Sequence, residues 1–113
     1  MKTGQQKRVC LAALFFLASA GGSAEGGFTG NDLKPECDRG TELCLSWVSG
    51  MHMMHGLMVG LNRKPLYCRP DGVINSQVIE IFRAYLRKNP ATLHLPADAI
   101  FVLALQEAFP CRR

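Results

Sequence analysis

Residues 40–61, "GTELCLSWVSGMHMMHGLMVGL", form the longest apolar stretch after the N-terminal segment. From Leu43 to Leu61 the stretch carries no formal charge. On a 100° wheel Cys44, Trp47, Val48, Met51, Met54, His55 and Met58 fall on one face, which predicts a helix of about residues 41–61. Thr41 suits the N-cap and Glu42 the first turn. Three glycines, two serines and two histidines interrupt the apolar run, so it does not read as a membrane span. A helix apolar on most sides is buried by several neighbours or by a second subunit. Gly50, Gly56 and Gly60 each cost helix propensity, and close approach of another backbone is one reason to keep them.

Working outward, three further helices flank this one. "FTGNDL", residues 28–33, is a helix start with Thr29 as N-cap, Asp32 at N3, and Phe28 and Leu33 at the staple positions. Pro35 is expected to stop or kink that helix within about two turns, because it lacks a donor and clashes with the preceding turn. "NRKPLYCRPDG", residues 62–72, is a loop punctuated by Pro65, Pro70 and Asp71-Gly72. "NSQVIEIFRAYLRKNP" follows as a helix, with Asn75 as the cap candidate. Its core stripe is Val78, Ile81, Phe82, Tyr85 and Leu86, with Glu80, Arg83 and Arg87 on the wet side. "HLPADAIFVLALQEAFPC" is the last helix, with Pro96 at its first position. Ile100 to Leu105 are apolar all round, which places it centrally. No strand alternation or internal repeat is visible. The fold class is all-α, a small disulfide-stapled bundle of about four helices.

The N-terminus reads as a secretory signal peptide over residues 1–20. Lys2, Lys7 and Arg8 precede a short apolar run, and Ala18-Ser19-Ala20 is a small-residue cleavage site. Cleavage after Ala24 is the competing site, and Cys10 would leave with the signal. Residues 21–27 form a flexible leader, and 28–113 a single helical domain. Three of the 13 Lys and Arg lie in the signal and none of the 9 Asp and Glu, so the rest stands near neutral at 10 against 9. There is no basic stripe, which argues against nucleic acid as a partner. The signal implies a periplasmic or secreted protein with no membrane attachment after cleavage.

Four cysteines remain: Cys37, Cys44, Cys68 and Cys111. An even count behind a signal peptide reads as two disulfides, with three possible pairings. Cys44–Cys68 would need a taut return, since the helix rises about 25 Å and the seven steps back reach at most about 25 Å. An up-down order of the helices favours Cys68–Cys111 with Cys37–Cys44. A Cys37–Cys111 or Cys37–Cys68 bond would overturn that order.

Taken together, "FTGNDL" before Cys37, "CLSWVSG", "YCRPDGVINSQV", "YLRKNPATLHLPA" and the closing "ALQEAFPC" resemble the Tai type of type VI amidase immunity proteins over residues 28–111. Ser46 and Trp47 stand where that family usually has glycine and tyrosine, and "MHMMH" is unusual for its helix. The resemblance implies a periplasmic immunity protein, often a homodimer. Its partner would be a secreted peptidoglycan amidase whose active-site groove it blocks with a loop or helix end. No catalysis and no cofactor are implied, and the sequence shows no Ser/His/Asp or paired-carboxylate arrangement that would make an enzyme.

Two other functions compete. His52 and His55 at i and i+3, with Met51, Met54 and Met58, are the only metal-ligand candidates, although no Asp, Glu or free Cys completes the set. The plainer alternative makes His55 a partly buried, hydrogen-bonded histidine with His52 at its margin. An acid-stress-like holdase chaperone would use the apolar helix as its client surface. For partner binding the candidates are Arg63, Lys64, Leu66 and Tyr67 in the longest loop, beside Asn62. The loop from Lys88 to His94 is the competing contact.

Overall fold

A computed structural model describes residues 27–112. The expected signal peptide, Cys10 and nearly all of the expected leader lie outside the described residues. Within them, four α-helices run in the order α1 (Gly30–Arg39), α2 (Glu42–Gly60), α3 (Asn75–Lys88) and α4 (Ala97–Ala108). A short 3-10 turn, Pro90–Thr92, joins the last two. The fold is all-α, as expected. No helix among the described residues is long and apolar enough to cross a membrane.

α1 begins as its sequence dictates. The Thr29 hydroxyl accepts the Asp32 N–H, and the Asp32 carboxylate accepts the Thr29 N–H at 2.8 Å, a complete capping box. Pro35 does not stop the helix. It removes the bond to the Asn31 carbonyl, but Asn31 and Pro35 are both exposed, so that carbonyl is left to solvent. The far turn is held instead by burial of Leu33 and Cys37. Gly40 then ends α1 in the left-handed region, φ 65°, and donates its N–H to Cys37 O. This tight turn brings Cys37 to Cys44, Cα–Cα 5.0 Å, and the two are disulfide-bonded. Thr41 is the N-cap of α2, but its hydroxyl is bound to Glu36 rather than to the helix it caps.

α3 is the hub, packing against α1, α2 and α4. It is positioned by Ile74, not Asn75, as the N-cap. Gln77 Oε1 accepts the Ile74 N–H at 2.9 Å, while the Asn75 amide donates to Ser49 Oγ on α2. Its buried stripe is Val78, Ile79, Phe82 and Leu86, with Tyr85 and Ile81 half-buried and Arg83 less wet than its charge suggests. Asp38 on α1 accepts from Lys34 at 2.8 Å and Arg87 on α3 at 3.0 Å. The Lys34 bond first, then that to Arg87, holds its carboxyl below the usual carboxylate range. Pro96 caps α4 from just outside it, and Ile100, Phe101, Ala104 and Leu105 are buried while Leu103 faces out.

The N-terminal segment is bonded to the connection before α4. Ala97 N–H donates to Phe28 O at 2.7 Å, Asn31 N–H to Leu93 O at 2.8 Å, and Gly30 N–H to Leu95 O at 3.1 Å. Gly30 is the residue this seam requires. A Cβ there would stand 2.6 Å from Ile100 Cδ1 and 2.9 Å from the Leu93 carbonyl oxygen. Gly30→Ala is therefore expected to cost about 1–3 kcal/mol by overpacking, measured by urea unfolding. Gly50, Gly56 and Gly60 behave in the opposite way, with nothing within 4 Å of a Cβ at any of them. Among the described residues of one chain no backbone approaches them.

The "MHMMHG" stretch is not the inside of the bundle as a unit. Cys44 and Val48 are buried, Trp47, Met51, His55 and Met58 are half-buried, and Met54 and Met53 are 56% and 72% exposed. The second half of α2 is covered only in part, by the loop that follows it and by Phe101 and Val102 of α4.

Candidate functional site

That loop, Asn62–Arg69, is the candidate site. It turns back on α2 at Asn62, which takes a left-handed φ of 61°, a conformation asparagine tolerates better than most residues. Arg63 N–H donates to Met58 O. At its far end Cys68 is disulfide-bonded to Cys111 and donates its N–H to Phe109 O at 2.8 Å. Gln106 on α4 donates its side-chain amide to Leu66 O at 3.0 Å.

The middle of the loop is fastened by aromatic and imidazole groups. Tyr67 is 1% exposed. Its ring stacks on His55, centroids 3.8 Å apart, and meets Phe101 edge-on at 6.1 Å. Phe101 in turn contacts Phe82 and Trp47, so the loop is joined to the core by a continuous run of rings. Burial pushes the Tyr67 phenol up to about 12, and it stays neutral. His55 Nε2 accepts the Leu66 N–H at 3.1 Å, and His52 Nε2 lies 3.1 Å from the Arg69 guanidinium. A guanidinium only donates, so His52 Nε2 is the acceptor and Nδ1 carries the proton. His52 Nδ1 then donates to the Tyr67 hydroxyl at 3.0 Å.

These contacts sort the sequence candidates. Tyr67, offered by the sequence as a partner contact, is buried, its ring against His55 and Phe101. Arg63 and Lys64 are exposed, and Leu66 is 44% exposed. Lys64, Leu66, Gln106 and Arg112 border an open cleft of about 630 Å³ beside Cys111. His52 and His55 come together, but both ring nitrogens of His52 and Nε2 of His55 are engaged, and a guanidinium sits beside them. Among the described residues no three His, Cys, Asp or Glu gather as a metal site. The competing loop, Lys88–His94, is pinned through Leu93 to α1, with His94 exposed. Arg69 and Gln106 were missed by sequence reasoning, since neither has a local pattern that marks its partner across the fold.

Comparison with protein families matches residues 29–111 to the Rap1a immunity proteins, a type VI secretion immunity family. The chain belongs to the Rap1a family. The match starts at the Thr29 cap and ends at Cys111, so all four helices and both disulfides lie within the Rap1a region. Such an immunity family is generally non-enzymatic and acts by binding a secreted effector. No curated protein and no solved structure matches the chain.

Proposed function

We propose that this Rap1a-family chain is a periplasmic immunity protein that binds a type VI secreted peptidoglycan amidase and blocks its active-site groove. The family match over residues 29–111 carries the immunity reading. The Tai-like motifs favour an amidase as the effector, and the signal-like N-terminus favours the periplasm, where peptidoglycan is exposed. The fastened loop Asn62–Arg69 is the contact we favour. Arg63, Lys64 and Leu66 are displayed on a backbone held at both ends, so little freedom is lost on docking. The test is co-purification with any secreted amidase encoded nearby, followed by a peptidoglycan cleavage assay. Arg63→Glu with Lys64→Glu is expected to weaken binding at least about tenfold, mostly through the association rate. Unchanged binding would move the contact to Lys88–His94.

The exposed face of α2 supports a second copy of this chain as a further partner. Leu43, Ser46, Gly50, Met53, Leu57 and Gly60 recur at spacings of three and four, all exposed and none charged. Such a spacing suits a helix–helix seam, with small residues where backbones would meet. Sedimentation separates the possibilities. In a free monomer Gly50→Ala with Gly60→Ala would stabilise α2, by up to about 1 kcal/mol per site. In a seam-packed dimer the added methyls would push the two helices apart. We expect a dimeric wild type and a dissociated double variant. A monomeric wild type at micromolar concentration would rule the seam out.

A further inference from the structure

Two of the bonds that hold loop Asn62–Arg69 to α2 exist only while two imidazoles are neutral. His55 Nε2 accepts the Leu66 backbone N–H, and His52 Nε2 accepts from Arg69. Neither nitrogen can accept once protonated. The surroundings hold no carboxylate to pair with the added charge. α2 supplies the two histidines to each other, the loop supplies Tyr67 and Arg69, and α4 presents the uncharged Phe101. No Asp or Glu lines the cavity of about 340 Å³ between α2 and the loop. The Cys68–Cys111 bond, the Gln106 bond to Leu66 O, and the backbone bonds from Arg63 to Met58 O and from Cys68 to Phe109 O involve no group that titrates in the histidine range. The His52 Nδ1 bond to the Tyr67 hydroxyl keeps its donor when the ring is charged.

We propose that His52 and His55 form an acid-released latch, which frees the centre of loop Asn62–Arg69 when protonated while the disulfide keeps its base in place. Burial first, then Arg69, lowers both imidazoles below the usual histidine value, with His55 adding to the effect on His52. The sign follows. A histidine lowered in the folded state contributes stability that is complete above its unfolded value, near pH 6.5, and lost as pH falls through the folded value. The latch is therefore closed at neutral pH and opens in acid. It does not rest on the immunity reading, because the bonds are internal to the chain.

The test is amide hydrogen exchange by NMR, expressed as protection factors, from about pH 7.5 to about pH 4.5. Leu66 N–H reports the latch. Cys68 N–H, bonded to the Phe109 carbonyl, is the internal control. We expect Leu66 protection to fall about tenfold across that range while Cys68 stays constant. In His55→Gln the amide oxygen takes the place of Nε2 and does not titrate, so the Leu66 response should flatten. Flat Leu66 protection in the wild type, or an equal fall in His55→Gln, would overturn the latch. Should that variant not fold, imidazole titration of the wild type decides: charging of both rings below about pH 6.5 supports the latch, and charging at or above it overturns it.

Discussion

A Cys68→Ser/Cys111→Ser variant is expected to lose about 4 kcal/mol of unfolding free energy in urea titration. The two cysteines are 43 positions apart, so the bond removes a large part of the unfolded chain's freedom. The Cys37–Cys44 bond spans only 7 positions, and the corresponding double serine variant should lose about 2.4 kcal/mol. The ordering matters more than the values. A domain of this size has only about 5–15 kcal/mol in total, so the first variant should be near its unfolding threshold at body temperature and the second should not. The Cys68–Cys111 bond also ties the loop to the end of α4, so its loss should loosen the candidate site as well as the fold. Equal effects of the two variants would contradict the assigned pairing.

Tyr67→Ala should cost about 3–5 kcal/mol, as expected for emptying a fully buried aromatic position. Tyr67 joins the loop to His55 and Phe101, and through Phe101 to Phe82 and Trp47. Tyr67→Phe keeps the ring and loses only the hydroxyl that accepts from His52, and should cost about 1 kcal/mol. Both are read by urea unfolding at neutral pH. The pair separates anchoring from contact. If Tyr67 touched the effector directly, Tyr67→Ala would weaken binding while leaving stability nearly unchanged. Its burial makes us expect the reverse order, with stability lost first.

Much of the fold was legible because local chemistry and tertiary packing agree in it. Thr29 and Asp32 form the capping box that their spacing announces, and Val78, Phe82 and Leu86 lie on one turn-to-turn stripe that α3 buries. Agreement failed where a distant contact outweighed a local rule. Pro35 stays inside α1 because Leu33, Cys37 and the disulfide hold the far turn. Asn75 gave up the cap position because its amide is drawn to Ser49, 26 residues away. Met54 lies on the apolar face of the wheel yet is exposed, since the wheel knows the side of a helix but not where its neighbours end.

The candidate site was half legible. The histidine pair and the loop were each visible as separate features, and their residue types suggested a metal site for one and a partner contact for the other. Their connection was not visible. Nothing in "NRKPLYCRPDG" says that Tyr67 stacks on His55 or that Arg69 faces His52, because those meetings depend on the left-handed turn at Asn62 and on the Cys68–Cys111 bond. Gly30 was equally silent. Its need for a bare Cα arises from Ile100 and Leu93, some 60–70 residues downstream.

Protection of the cell wall is open to a survival assay. A secreted peptidoglycan amidase that binds this chain would be directed to the periplasm of a susceptible Gram-negative cell, with this chain co-expressed either with residues 1–20 or without them. We predict that the full chain prevents lysis, that the leaderless chain does not, and that the protecting form is recovered in complex with the amidase. Lysis at the same rate with and without the full chain, when both proteins are present in the periplasm, would contradict the account.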